Sequence, residues 1–404
     1  MAIIFEGAEV VLPEGTARVS LRVEGGHITG LDSAPDGAKR IDARGLTLAP
    51  ALVDVHGDAF ERQLMPRPGV FFPLDMALME TDRQLAANGI ATAYHALTLS
   101  WEPGLRSVDQ ATRILDRLAA LEPRLAAENR LQLRWETFCF EARPLIAQAL
   151  AGALTPSVAF NDHTSMAMLD PAIPLQERPF DLVNDYPAIE LTRTASAGKF
   201  EKRAARAGID AAAYLRLLGE IWERRTQVAD AIAEVGGQAR AVAAPMLSHD
   251  DTQIETRDFY RGHGARISEF PMNETVARAA REAGDWIVFG APNAARGGSH
   301  LGSPGAADMV ARGLCDILAS DYYYPAMLAA VARMRAENLA PLHALWQLVS
   351  ANPAKASGLH DRGEIAPGKR ADLVLLDWPE GGAPAPVLTL RAGRVAHAAR
   401  GFGL

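Results

Sequence analysis

The stretch ALVDVHGDAF (51–60) is an apolar run of strand length that ends abruptly in His-Gly-Asp. A run that is apolar on both faces suits a strand buried between two layers, as in a parallel sheet. Seven further stretches have the same character: IATAYHAL (90–97), LQLRWETF (131–138), SVAFND (157–162), ARAVAAPML (239–247), ARISEF (265–270), DWIVFGAP (285–292) and CDILASD (315–321). Helical patterns lie between them, at 107–128, in one long run at 213–236, and at 273–284, 306–314 and 325–337. Eight strands alternating with helices predict an α/β fold, a (β/α)8 TIM-like barrel over residues 50–358. The segment 163–212 is irregular and carries several prolines. A connection of that length is expected to bind substrate or cover the site.

The two chain ends read differently. AIIFEG, AEVVLP, ARVSLRVEG and HITGLDSA near the start, and ADLVLLDW, PVLTLRAG and RVAHAARG near the end, alternate apolar and polar residues between Gly and Pro turns. Residues 1–49 and 359–404 are therefore expected to build one small β-sandwich domain together. The chain has 404 residues, 49% of them hydrophobic, and a formal net charge of −8. That charge disfavours nucleic acid as a partner. A local cluster of Arg can still attract a small anionic substrate against the global sign. Two cysteines are too few for a disulfide framework, so a reducing compartment is expected. There is no signal-peptide pattern at the start and no apolar run of membrane-spanning length. The expectation is a cytoplasmic protein with no membrane partner. Barrels of this type often pair, so a homodimer stays open.

In such a barrel, chemistry sits at the C-terminal ends of the strands. His56 and Asp58 end the first strand, and residues i and i+2 of an extended chain point to one side. Glu136 is in the third strand, Asp162-His163 follows the fourth, and Ser248-His249-Asp250-Asp251 ends the fifth. Glu269 is in the sixth, His300 follows the seventh, and Ser320-Asp321 ends the eighth. One His or Asp at a strand end is more often a hydrogen-bonding residue or a helix cap than a ligand. Seven of eight ends carrying such a residue is a pattern that separate accidents do not explain. Imidazoles and carboxylates together suit a divalent cation, with Zn²⁺, Mn²⁺ and Fe²⁺ all open. The stretch GAPNAARGGSHLGSPG (290–305) offers Asn293, Arg296, His300 and backbone N–H groups to an anion. RQLMPRPGV (62–70) offers Arg67 on a proline-stiffened turn.

These marks resemble the amidohydrolase superfamily: a His-x-Asp pair on strand one, a strand-eight Asp and the terminal RGEIAPGKRADLVLLD (362–377). A narrower resemblance is to the phosphonate-utilisation hydrolases of the carbon–phosphorus lyase pathway. It is carried by HGDAFERQLMPRPGV, SHDDT, ISEFP, GAPNAARGGSH, DILASDYYYPAML and NPAKASGLHDRGEIAPGKRADLV, which span residues 56–374. That resemblance implies release of pyrophosphate from α-D-ribose 1-methylphosphonate 5-triphosphate by water. It implies one or two divalent ions, zinc first and manganese or iron as alternatives. His56, Asp58, Glu136 and His249 would be ligands, with His163 and Glu269 as further ones. Asp321 would be both a ligand and the catalytic group beside the attacking water. Arg67, Asn293, Arg296 and His300 would bind substrate. The chain departs from the family in Gly57, where a Thr is usual. After Asp162-His163 the family continues Pro-Gly-Gln-Arg-Gln, and this chain reads TSMAMLDPAIPLQERPFD. The same centre could instead cleave a C–N bond of a cyclic amide, an N-acyl compound or an amino-substituted ring.

Overall fold

The computed structural model describes residues 2–32, 34, 36–191, 197–298, 302 and 304–399. Eight parallel strands follow one another in chain order: β1 (Leu52–Gly57), β2 (Ile90–Leu99), β3 (Glu128–Glu136), β4 (Ser157–Asn161), β5 (Met246–His249), β6 (Ile267–Glu269), β7 (Trp286–Gly290) and β8 (Ile317–Ala319). The sheet closes where Asp58 N–H donates to Asp321 O and Asp321 N–H donates to His56 O, both at 2.9 Å. Closure thus lies at the His-Gly-Asp end of β1. Gly57 makes it sterically feasible. A Cβ there would stand 2.8 Å from Asp54 Oδ2 and 3.0 Å from both Ser320 Oγ and a Tyr324 ring carbon. Val55, Ala159, Leu247, Ile267, Val288, Ile317 and Ala319 fill the interior as one buried cluster. This part of the barrel is a packed apolar core and not an open channel.

Two elements differ from their sequence patterns. ARAVAAPML is strand only from Met246 onward, because residues up to Ala241 complete the helix Val228–Ala241. The long pattern 213–236 is two helices, Ala211–Trp222 and Val228–Ala241, with a 3-10 turn at Arg225–Gln227 between them. No Gly or Pro marks that break. Arg225 accounts for it, since its guanidinium donates to Asp181 O and Val183 O and lies over the Tyr186 and Trp222 rings. The 163–191 region is held similarly. Buried Arg178 pairs with Asp181 at 3.0 Å and donates to Asp250 O at 3.1 Å.

Both chain ends contribute to a separate β unit. One sheet has four strands, Ile3–Glu6, Leu21–Glu24, His27–Leu31 and Lys39–Asp42. The other has six, in which Leu373–Asp377 pairs antiparallel with Thr47–Pro50. Ile3, Phe5 and Leu21 of one sheet pack with Leu48, Leu373 and Leu390 of the other. A charge cluster ties the C-terminal segment to the barrel: Glu128 of β3 meets Arg130 at 2.6 Å, Arg362 at 2.9 Å and Arg370 at 2.6 Å. Burial pushes the Glu128 carboxyl up, but these guanidiniums outweigh it and hold it at about 2, below the ordinary 4.5. A depressed carboxyl adds stability above its ordinary value and loses it as the pH falls through the folded one. Glu128→Gln is therefore expected to cost on the order of 3 kcal/mol at pH 7. It should also flatten the fall of Tm between pH 4.5 and 2. Denaturant midpoints across that range would check this, and an unchanged acid limb would refute it.

Candidate metal centre

The inward positions of β3 build half of the mouth. Gln132, Arg134 and Glu136 alternate along the strand and share one side. Gln132 Nε2 donates to Glu269 Oε1 at 2.7 Å. Glu269, at the end of β6, is the hub of two imidazoles: its oxygens lie 3.1 Å from His56 Nδ1 and 2.8 Å from His249 Nδ1. Burial pushes the Glu269 carboxyl up, yet His56 and the hydrogen bond from His249 win and hold it well below the usual range. Burial works against a charge on His56 as well, and Glu269 outweighs it, so the ring is shifted up. The two rings stack 5.6 Å apart with 12° between their planes, and Phe270 meets both edge-on. With each Nδ1 facing the carboxylate, the Nε2 of His56 is left for a ligand, the usual arrangement behind metal-bound histidines, while that of His249 faces Arg134.

Glu136 holds His163 in the same manner. His163 Nδ1 is 2.5 Å from Glu136 Oε1, and its backbone N–H donates to Oε2 at 3.0 Å. Burial and, next, Arg134 shift His163 well below the ordinary value, which favours the neutral ring. Burial raises the Glu136 carboxyl to about 7 against the pull of Arg134. Asp250 and Asp321 follow β5 and β8 with φ of 58° and 56°. A left-handed non-Gly residue is strained, and here it turns each carboxylate into the mouth. Asp250 Oδ2 lies 3.4 Å from His249 Nε2 and 3.8 Å from His163 Nε2. Asp321 is raised to about 6, by burial first and then by Asp58.

Among the described residues, three sets of ligand atoms lie within 4.8 Å of one another: His56, Asp58, Asp321; His56, His249, Glu269; and His163, His249, Asp250. The first fits a divalent cation best, since two carboxylates that repel each other face one imidazole nitrogen. In the second, Glu269 already serves both Nδ1 atoms. In the third, Arg134 Nη2 stands 2.9 Å from His249 Nε2, where a cation would need the same lone pair. Arg134 Nη1 is also 3.6 Å from Asp58 Oδ2.

A cavity of 370 Å³ opens over this centre, lined by His56, Arg134, His249, Asp250, Asp321, Asn293 and Arg296 among others. Asn293 and Arg296 thus share a wall with the ligand candidates. They stand on a short helix, Ala291–Arg296, and not in an open glycine loop as the sequence suggested. Gly297 ends that helix at φ 89°, a left-handed stop suited to glycine. Arg67 is not brought to this cavity. It is exposed, in a turn closed by Val70 N–H to Arg67 O at 3.0 Å. His300 lies outside the described residues. Sequence reasoning missed Arg134, and it named Asp250 only as part of the polar run that ends the fifth strand. Arg134 was detectable as a charge two residues before Glu136 in an apolar strand. The inward direction of Asp250 was not detectable, because position i+1 of a regular strand points away.

The amidohydrolase family model matches residues 69–397, and the chain belongs to that family. A curated relative, the α-D-ribose 1-methylphosphonate 5-triphosphate diphosphatase of Escherichia coli (strain K12), is 30% identical over 379 residues, covering 92% of this chain and 94% of the relative. Solved structures with the same fold include molinate hydrolase (15% identity, TM-score 0.63, 98% of this chain and 94% of that one). The L-hydantoinase of Arthrobacter aurescens is another (16% identity, TM-score 0.62, 100% and 97%). Among the described residues, no helix is long and apolar enough to cross a membrane.

Proposed function

We propose that the chain hydrolyses a phosphoric anhydride of α-D-ribose 1-methylphosphonate 5-triphosphate, giving the 5-phosphate and pyrophosphate. The observation that carries this reading is the shared cavity: ligand candidates His56 and Asp321 face the same space as Asn293 and Arg296. The named activity of the Escherichia coli relative supports the choice of substrate.

His56, Asp58 and Asp321 would hold a divalent cation, with zinc favoured by the ligand types and manganese or iron compatible with them. His249 lies against the same centre. When bound, such a cation brings the pKa of water toward ~7 and polarises a phosphoryl oxygen. Asp321 accepts the proton of the attacking water on its carboxylate and returns it to the leaving group. In the metal-free chain, burial and Asp58 raise this carboxyl to about 6, and a bound cation would draw it down again. Arg296 and Asn293 orient the anionic chain and offset charge as it moves onto the leaving oxygens. Glu269 and Glu136 position the imidazoles.

Removal of divalent ions by a chelator should abolish pyrophosphate release, and added Zn²⁺ or Mn²⁺ should restore it. Full turnover by metal-free protein would refute the reading. One observation favours cleavage of a C–N bond instead: Phe270, Pro271, Met272 and Phe289 make part of the cavity wall apolar. Ammonia or carboxylate release from an amide panel, with no pyrophosphate from the triphosphate, would decide for that alternative.

A further inference from the structure

A second cavity, of 190 Å³, lies beyond the Glu136–His163 pair, which lines it and does not line the first. Its walls come from the end of β2 and from the helix Ala197–Ala207, with Thr98, Ser100, Arg203 and Arg206 facing the space. That helix follows the stretch 164–181 in which the chain departs from the Pro-Gly-Gln-Arg-Gln text. The wall carboxylates are already engaged. Glu102 accepts from Arg206 Nη2 and from the Tyr214 hydroxyl, both at 2.6 Å. Glu136 accepts from His163 at both oxygens.

What remains in the wall is a set of donors. Thr98 Oγ1 is buried with no hydrogen-bond partner among the described residues, and so is Arg206 Nε. Thr98 is 3% exposed. Arg203 reaches His163 O at 3.4 Å and the Tyr214 hydroxyl, and has no carboxylate within ion-pair distance among the described residues. Buried donors left unmatched are costly, and a native fold normally gives them an acceptor. A guanidinium, a second guanidinium N–H and a hydroxyl around one small space suit an acceptor-rich, compact anion.

We propose that this cavity is a second oxyanion subsite, holding the phosphonate end of a substrate whose phosphoanhydride end reacts at the barrel mouth. This rests on the reading of the mouth as the hydrolytic centre. It adds that the substrate carries anionic groups at two ends, recognised in two separate cavities.

The test uses the full-length, metal-loaded chain and two probes, methylphosphonate and pyrophosphate, each titrated by calorimetry. Arg203→Gln and Thr98→Val should each weaken methylphosphonate at least tenfold and leave pyrophosphate within twofold. Arg296→Gln should do the reverse. Circular dichroism, Tm and metal content check the fold, and Thr98→Val keeps the test sound if Arg203→Gln misfolds. Unchanged methylphosphonate affinity in folded Arg203→Gln and Thr98→Val, or equal loss of both probes, would overturn the subsite. Absence of pyrophosphate release together with Arg203-dependent methylphosphonate binding would instead sink the proposed reaction and leave the subsite standing.

Discussion

Asp321→Asn is expected to lower kcat by about 10³ while changing KM only a few-fold, the size of effect known for loss of a general acid–base group. The amide keeps the shape of the carboxyl and cannot take a proton from water. The pH profile gives a second readout. Activity of the metal-loaded parent should show an acid limb as Asp321 ionises, displaced by the bound cation below the metal-free value of about 6, and the variant should lose that limb. Stability should move the other way. A carboxyl raised in the fold costs stability once the pH passes its ordinary 3.8, and fully above about 6. Asn removes that cost, so metal-free Asp321→Asn should melt at pH 7 no lower than the metal-free parent. A kcat within tenfold of the parent would remove Asp321 from the chemistry.

Glu269→Gln is the second large effect. One ionised carboxylate serves His56 Nδ1, His249 Nδ1 and Gln132 Nε2 in a fully enclosed position. An amide offers one acceptor oxygen and an N–H that confronts an imidazole N–H. Breaking a buried charge pair of this kind costs on the order of 3 kcal/mol. Loss of the group that orients histidine ligands typically weakens metal binding by about 10–100-fold. Urea unfolding and competitive metal titration would measure the two consequences separately. Metal affinity equal to that of the parent would show that His56 and His249 are not ligands held by Glu269.

The parts of the centre that could be read from the chain follow one rule. His56 and Asp58, and likewise Arg134 and Glu136, sit two apart in apolar strands, and the period of a strand puts each pair on one side. Glu269 and His249 were legible as polar groups that an apolar strand would not otherwise tolerate. Their relation was not, because a contact between Glu269 and two histidines depends on the register of β5 beside β6 and on closure at β1. The direction of Asp250 was not legible because its left-handed backbone overrides strand periodicity. Arg203 lies 40 positions after His163 along an irregular stretch, and nothing local ties the two together.

ALVDVHGDAF and its seven counterparts determined, by sequence alone, a barrel with ligand types at one mouth. Short apolar runs have few ways to be buried, and strand alternation leaves little freedom to the residues at their ends. Only the tertiary structure decided that His56 leans on Glu269, that Arg134 competes for His249, that Arg296 reaches the cavity and that Arg67 does not. Those outcomes depend on distances across the closed barrel and on strained backbone at two strand ends, which residue spacing along the chain does not encode.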